Sequence, residues 1–269
     1  MSHTDTLLTQ AINASLQQTQ ASQALAAEVN QKMAGIDKSV SDAQKKAQSA
    51  IEATADNLGF MAINYNADMR DFYVAKQPNK QGVINQIPIG WGVKPDFLEC
   101  CHLEMIPAVS GSVAVERHEE VRALLDFMGI GADTKHWSRS FNILKIRVLD
   151  TSFIERTSYD AHIADQHLRY DPATSFLRYV KVIGKTSVRW LGGDTNGEWV
   201  QLRTVVKGTP GASKYRHVDF TFDDKTEVGD VVMIALPSVV PGIWPEGRKH
   251  SRLYNLKDHF TKVIAKKHA

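Results

Sequence analysis

The sequence predicts an α+β protein in two parts, a long N-terminal helix that self-associates as a trimeric coiled coil and a mainly antiparallel β-sandwich head. Three observations carry this. Apolar residues recur at alternating steps of three and four over residues 26 to 54; every aromatic residue and every proline lies from Phe60 onward; and short alternating runs separated by turn signals fill the chain from about His136.

In the first stretch Ala26, Val29, Met33, Ile36, Val40, Ala43, Ala47 and Ala50, followed by Thr54, fall on one narrow helical stripe, and the other face carries Gln, Lys, Asp, Ser and Glu. A stripe this narrow reads as a coiled-coil seam; a monomeric helix packed on its own domain needs a wider one. With Ala26 at an a position, Met33, Val40, Ala47 and Thr54 occupy a, and Val29, Ile36, Ala43 and Ala50 occupy d. β-Branched residues at d disfavour a two-stranded parallel coil, so a homotrimer is expected. The Ala layers and Gly35 make the seam thin, and propensity alone gives an isolated helix little help, so a more C-terminal element is expected to help hold the strands together. Upstream the frame passes through Leu8 and Ile12 into three polar layers, Ser15, Thr19 and Ser22, while Leu16 and Leu25 drift off it. The first two dozen residues are expected to splay apart or to dock on another protein.

At 269 residues the length allows one large domain or two ordinary ones. The composition shift places a boundary near Leu58-Gly59, giving a stem over 1–58, a mixed shoulder over 59–135 and the head over 136–269. The stem has six acids against four lysines, a net of minus two, which leaves plus four for the remainder of a chain at plus two. Neither part has the basic excess of a nucleic-acid binder. The two cysteines, Cys100 and Cys101, are sequence neighbours, which excludes a disulfide scaffold. The start has no basic n-region or apolar h-region, and no run approaches a membrane span. The chain is therefore expected to be made in a cytoplasm, with no membrane insertion, and to leave a cell only inside a larger particle.

From Phe60, FMAINYNADMRDFYV reads as a short strand and a turn, QPNKQG breaks it, and QIPIGWGVKP from Gln86 reads as an ordered loop around Trp91. ERHEEVRALLDFMGIG from Glu116 is a helix with Val121, Leu124, Leu125 and Met128 on one face and Gly129 ending it. FNILKIRV from Phe141 and FLRYVKVIG from Phe176 alternate as strands. TSVRW and EWVQLRTVV read as a hairpin whose turn uses Asn196-Gly197, a dipeptide that tolerates positive φ at both positions. YRHVDFTF, with Val218, Phe220 and Phe222 on one face, and VGDVVMIAL form a further pair about DDKT. Leu253, Leu256, Phe260 and Ile264 recur at helical spacing in the tail, with Lys266 and Lys267 at its end.

The run NGEWVQLRTVV from Asn196, then VDFTF from Val218, then GDVVMIALPSVVPGIWPEG from Gly229 resembles the second half of the carbohydrate-binding-module-like β-sandwich often found at the ends of bacteriophage tail fibres. Its landmarks are Trp199, Phe220 to Phe222, and Pro237 with Pro241-Gly242, preceded by the strand YVKVIGK at Tyr179 to Lys185. The resemblance covers about half the head. It implies a jelly-roll-like head on a structural virion protein, a tail fibre or receptor-binding component; enzymatic activity and a cofactor are not expected, because the sequence places no paired catalytic site. Its partners are then itself, other tail or baseplate proteins, and a host-surface glycan or receptor. A structural adaptor without its own ligand is the alternative, and a glycan-modifying tailspike enzyme a further one. Sugar binding uses aromatic faces against C–H groups with polar side chains beside them, and Arg189, Trp190, Tyr215, Arg216 and Trp244 lie near the predicted turns of the head. Trp199 is expected in the core.

The remaining motifs carry weaker chemistry. His162 and His167 are five apart, which mismatches the i, i+4 pair of a helical zinc site. Cys100-Cys101-His102 with Glu104 has adjacency but no assembled geometry, and buried inert thiols are expected. Gly184-Lys185-Thr186 lacks the first glycine of a phosphate loop, since Tyr179 stands there. Asp194, Asn196 and Glu198 read as a tight turn ahead of a calcium loop. Glu116, Glu119, Glu120 and Asp126 are expected on the solvated face of their helix, without the facing pair a glycosidase needs.

Overall fold

The computed structural model describes residues 3–58, 61–137, 139–154, 159–169, 173–206 and 215–255, with the backbone alone at 3–6, 51–58, 164–169, 215–216 and 255. The chain divides into two compact units, Met1–Leu58 and Gly59–Ala269.

The first unit is one helix, α1 (His3–Leu58), of 56 residues. At the helical rise it extends about 84 Å. Side chains from Leu7 to Ala50 are exposed throughout, including the whole stripe Ala26, Val29, Met33, Ile36, Val40, Ala43, Ala47 and Ala50. The large apolar residues of that stripe are about half exposed or more, Val29 at 46% and Ile36 at 61%. Local support is slight. The ion pair Glu28 with Lys32, 2.7 Å apart at i, i+4, is worth only a few tenths of a kcal/mol. No helix among the described residues is long and apolar enough to cross a membrane.

The second unit runs β1 (Met61–Ala62), β2 (Phe72–Val74), β3 (Gln86–Pro88), β4 (Trp91–Val93), α2 (Pro95–Cys100), β5 (Cys101–Ala108), a 3₁₀ turn (Ala114–Glu116), α3 (Glu119–Phe127), β6 (Phe141–Val148), β7 (Ala161–Arg169), β8 (Thr174–Ile183), β9 (Val200–Val206), β10 (Tyr215–Phe220), β11 (Val231–Pro241) and β12 (Tyr254–Asn255). A five-stranded antiparallel sheet has the order β5-β6-β11-β8-β9, and a three-stranded one the order β10-β7-β4; β2 pairs with β3, and β1 with β12 in parallel. The fold is thus α+β.

Both faces of the five-stranded sheet are covered. On one, Leu103, Leu144, Val180, Val232 and Ile234 share a core with Trp91, Ile163, Val218 and Phe220 of the three-stranded sheet. On the other, Ile106, Ile143, Tyr179 and Met233 share a core with Val121, Leu124 and Leu125 of α3. Double coverage explains why β11, VVMIALPSVVP, is buried along nearly its whole length, where a half-exposed strand would alternate.

Several connections differ from the sequence reading. β5 pairs with β6 from Cys101↔Val148 to Ala108↔Phe141, so residues of the expected shoulder supply an edge strand of the main sheet. The QIPIGWGVKP segment forms β3 and β4 about Gly90 at φ 88°. Asn196 and Gly197 do take φ 53° and 69°, and Glu198 N donates to Thr195 O at 3.0 Å. Yet β9 pairs with β8, because Thr195 Oγ1 bonds both Val182 N (2.9 Å) and Val182 O (3.2 Å) and folds the loop back on β8. β10 pairs with β7 in the smaller sheet, while β11 crosses to the centre of the larger one. Of the expected tail helix, Leu256, Phe260 and Ile264 lie outside the described residues; Leu253 packs against Leu177, Val240 and Trp244.

Helix α3 begins where His118 Nδ1 accepts the Glu120 N–H (3.1 Å), so Glu116 falls in the preceding 3₁₀ turn. Glu120 overturns the solvated-face expectation. It lies one turn before Leu124 on the buried stripe, and its carboxylate accepts from Lys181 Nζ at 2.9 and 3.0 Å and from Trp199 Nε1 at 3.2 Å. The ion-pair side chains are 11% and 14% exposed. Glu120→Ala leaves a buried ammonium and an indole N–H unpaired, and is expected to cost about 3 kcal/mol in urea unfolding. The double variant Glu120→Leu with Lys181→Met is expected to recover most of that loss.

Candidate functional site

The best candidate site is built on β8 and the turn that follows it. Successive side chains of a strand face opposite ways, so Phe176, Arg178, Val180 and Val182 point toward the three-stranded sheet and Leu177 and Tyr179 point the other way. Arg178 is thereby placed in the core, 5% exposed. Its Nη1 donates to Thr204 Oγ1 (2.8 Å) and to Phe176 O (3.0 Å), and the guanidinium carbon lies 4.8 Å over the Phe176 ring. Nε is buried without a hydrogen-bond partner. Burial pushes the guanidinium pKa down to about 9.

The turn at Val188 to Gly192 closes on itself, Val188 N donating to Gly192 O (2.8 Å) and Gly192 N to Val188 O (2.9 Å), and Arg189 N ties it to Thr221 O (2.9 Å). Leu191 is fully buried, which anchors the turn. Trp190 is forced to φ 70°, a left-handed conformation costly for a bulky residue. Its ring meets Phe176 edge to face at 6.3 Å. Trp190 is half-buried and Arg189 exposed.

The five residues expected to bind sugar do not share one surface. Trp190 meets Phe176, the ring over which Arg178 also lies, and Arg189 is exposed on the same turn as Trp190. Trp244 is 3% exposed and packs with Leu177 and Val240 on the opposite face of β8, its N donating to Ser175 Oγ (2.9 Å) and Nε1 to Arg248 O (2.8 Å), so it has no free ring face for a ligand. Tyr215 and Arg216 open β10, opposite Arg169 and Leu168, and their side chains lie outside the described residues. Trp199 is buried in the core. Arg178 went unnoticed in the sequence, although the alternation Phe176, Arg178, Val180, Val182 already sets an arginine on an apolar face.

Other groups are structural. Cys100 and Cys101 are free and buried, Cys100 Sγ lies 3.3 Å from Ser152 Oγ, and burial pushes the Cys101 thiol far up, away from thiolate chemistry. His162 and His167 both lie on β7, where a five-residue step puts them on opposite faces; the His162 ring fills the space above Gly92 and packs edge-on against Tyr159 at 4.8 Å. Asp194 Oδ1 accepts Asn196 N (2.7 Å), as a turn residue does. Among the described residues no group of three or more His, Cys, Asp or Glu is placed to hold a metal ion. Compared with known proteins, the chain matches no family model and shows significant sequence similarity to no curated protein.

His250 reports on the packing behind β8. Its ring stacks on Tyr179 at 4.6 Å, Nε2 lies 3.1 Å from Leu236 O and Nδ1 3.3 Å from Gln201 Nε2, and burial lowers its pKa from 6.5 to about 4. The folded chain keeps it neutral while the unfolded chain protonates it below 6.5, so its contribution is complete above pH 6.5 and is lost as pH falls toward 4. The loss is of order 3 kcal/mol. Urea unfolding of the parent and of His250→Gln between pH 7 and pH 4 is expected to show the smaller decline in the variant.

Proposed function

We propose that this protein is a non-enzymatic virion appendage component, a homotrimeric tail-fibre or receptor-binding protein whose α1 helices form the stem and whose β-rich unit attaches to a host-surface glycan or protein. The observation that carries the reading is the exposed apolar stripe of α1 at a and d spacing, from Ala26 to Ala50. Exposed apolar surface of this extent marks an interaction site, and a second and third copy of the same stripe are the complementary occupants. The two packed sheets of the second unit support a carbohydrate-binding-like, jelly-roll-like head on the resemblance of the 196–247 run. Weak sites carried on one stem gain avidity by factors of about 10² to 10⁴ when their geometry allows joint engagement. Attachment to tail or baseplate proteins falls to the first two dozen residues, where Ser15, Thr19 and Ser22 interrupt the stripe and the Thr19 hydroxyl donates to Ser15 O (2.9 Å). That same feature favours the adaptor as second reading, with tight association to a virion partner and no binding to host cells.

Sedimentation of the full chain tests the assembly. The expected mass is three times the 30.0 kDa of one chain. A chain beginning at Phe60 is expected to be smaller in assembly state, and a monomeric full chain overturns the fibre reading. Met33→Asp with Val40→Asp is expected to dissociate the trimer, since a charge in a seam layer must be desolvated.

A further inference from the structure

We propose that Arg178, Thr204 and Trp190 form a subsite for a carboxylate-bearing sugar at the edge of the five-stranded sheet, an inference that rests on the glycan-attachment reading. Charge is unbalanced at Arg178 among the described residues. Among the described residues the other buried cations are satisfied: Lys181 pairs with Glu120 at 2.9 Å, Arg252 pairs with Asp68 at 2.6 Å, and Arg117 uses Nε, Nη1 and Nη2 on Ser112 and Ala132. Arg178 is buried as deeply, faces no carboxylate among the described residues, and bonds through Nη1 alone to a hydroxyl and a carbonyl. Nε has no partner. A buried guanidinium without a counter-charge is unfavourable, and a planar fork with an unused edge fits a carboxylate with two parallel N–H···O bonds.

The surroundings supply the rest of a sugar site. Phe176 joins the parts, with the guanidinium carbon 4.8 Å over its ring and the Trp190 ring 6.3 Å away. Thr204 accepts from Arg178, which leaves its own hydroxyl proton to donate to a ligand oxygen. Trp190 offers a half-buried indole for pyranose C–H groups. The conformation of Trp190, φ 70° in a turn closed at both ends, is the kind of local strain found at ligand clamps. Because Nε is shielded in the free protein, entry of the carboxylate requires side chains at the rim to shift. A neutral sugar leaves the charge unmet and is selected against.

The test uses the full-length protein with galacturonate and glucuronate trisaccharides, a glucose trisaccharide as neutral control, and sodium acetate as the carboxylate alone. Calorimetry and the ¹⁵N-detected Arg178 Nε–H resonance are followed together with tryptophan fluorescence. Saturable uronate binding, a shifted Nε–H resonance and altered Trp190 emission are expected, with no response to the glucose trisaccharide. Arg178→Met is expected to weaken uronate binding about tenfold or more while holding or raising the melting temperature, because the isosteric change removes an uncompensated buried charge. A purely structural arginine predicts the reverse, a fall in melting temperature with uronate affinity unchanged. If Arg178→Met fails to fold, Thr204→Val reads the same affinity. An Nε–H resonance unmoved by saturating uronate, or already paired with a carboxylate of the chain itself, overturns the subsite. Binding of neutral glycans with a silent Arg178 overturns it while leaving the attachment reading intact; a sedimentation result of monomer overturns that reading separately.

Discussion

The coverage of β8 on both faces is the constraint on which the second unit depends. A strand sandwiched between a second sheet and a helix cannot leave polar atoms unpaired, since each costs about 1–3 kcal/mol. The sequence of β8, TSFLRYVKVI, nevertheless carries Ser175, Arg178, Tyr179 and Lys181 inward, along with Thr174 at its start, and the rest of the unit is arranged to meet most of them. Ser175 Oγ donates to Gly242 O (2.8 Å) and accepts from Trp244 N (2.9 Å). Tyr179 exchanges hydrogen bonds with the His250 backbone, donating to its carbonyl (2.5 Å) and accepting from its N–H (3.0 Å). Lys181 holds Glu120. The chain after β11 and the helix α3 are thus fixed to β8 by polar contacts in addition to apolar packing, and Arg178 stands apart because only a hydroxyl and a carbonyl answer it.

The first unit obeys the opposite rule. α1 is exposed along its described side chains, and an isolated helix of this composition draws little stability from propensity or from the Glu28–Lys32 ion pair. Its apolar residues lie on one narrow exposed stripe, and the small Ala layers and Gly35 leave little apolar area along it. On the proposed trimer, such a stripe would confer register and stoichiometry more than strength.

Much of this was legible in the sequence, and the failures have physical causes. The long N-terminal helix, the extent of β6, the buried face of α3 and the positive-φ Asn196-Gly197 turn follow from local pattern and turn chemistry. Strand partners did not. β9 pairs with its predecessor β8 because TSVRW forms no strand, while β10 joins β7 and β11 lies between β6 and β8 because long-range burial decides pairing. Glu120 was misplaced because its charge pointed outward while its position, one turn before Leu124, pointed inward; only the presence of Lys181 and Trp199 on the opposing strands resolves the conflict. Trp244 was read as a sugar-binding aromatic from its place near a predicted turn of the head, yet the ring packs with Leu177 and Val240 and is buried.

The same logic separates the two tryptophans of the candidate surface. β8 and β11 are antiparallel neighbours, so Trp190 and Trp244 follow strands that end at opposite ends of the sheet, yet both segments come back to β8. Parity divides them there: Trp190 meets Phe176 and Trp244 the cluster of Leu177, one residue along the strand and therefore on the other face. Trp244 is spent on closing the core, with both of its N–H groups bonded. Trp190 instead holds a strained backbone at a half-buried rim beside a guanidinium that the described fold leaves without a counter-charge. Lys181 and Arg252 meet carboxylates of the chain and Arg117 has an acceptor for each of its nitrogens, whereas among the described residues Arg178 meets no carboxylate and its Nε no acceptor.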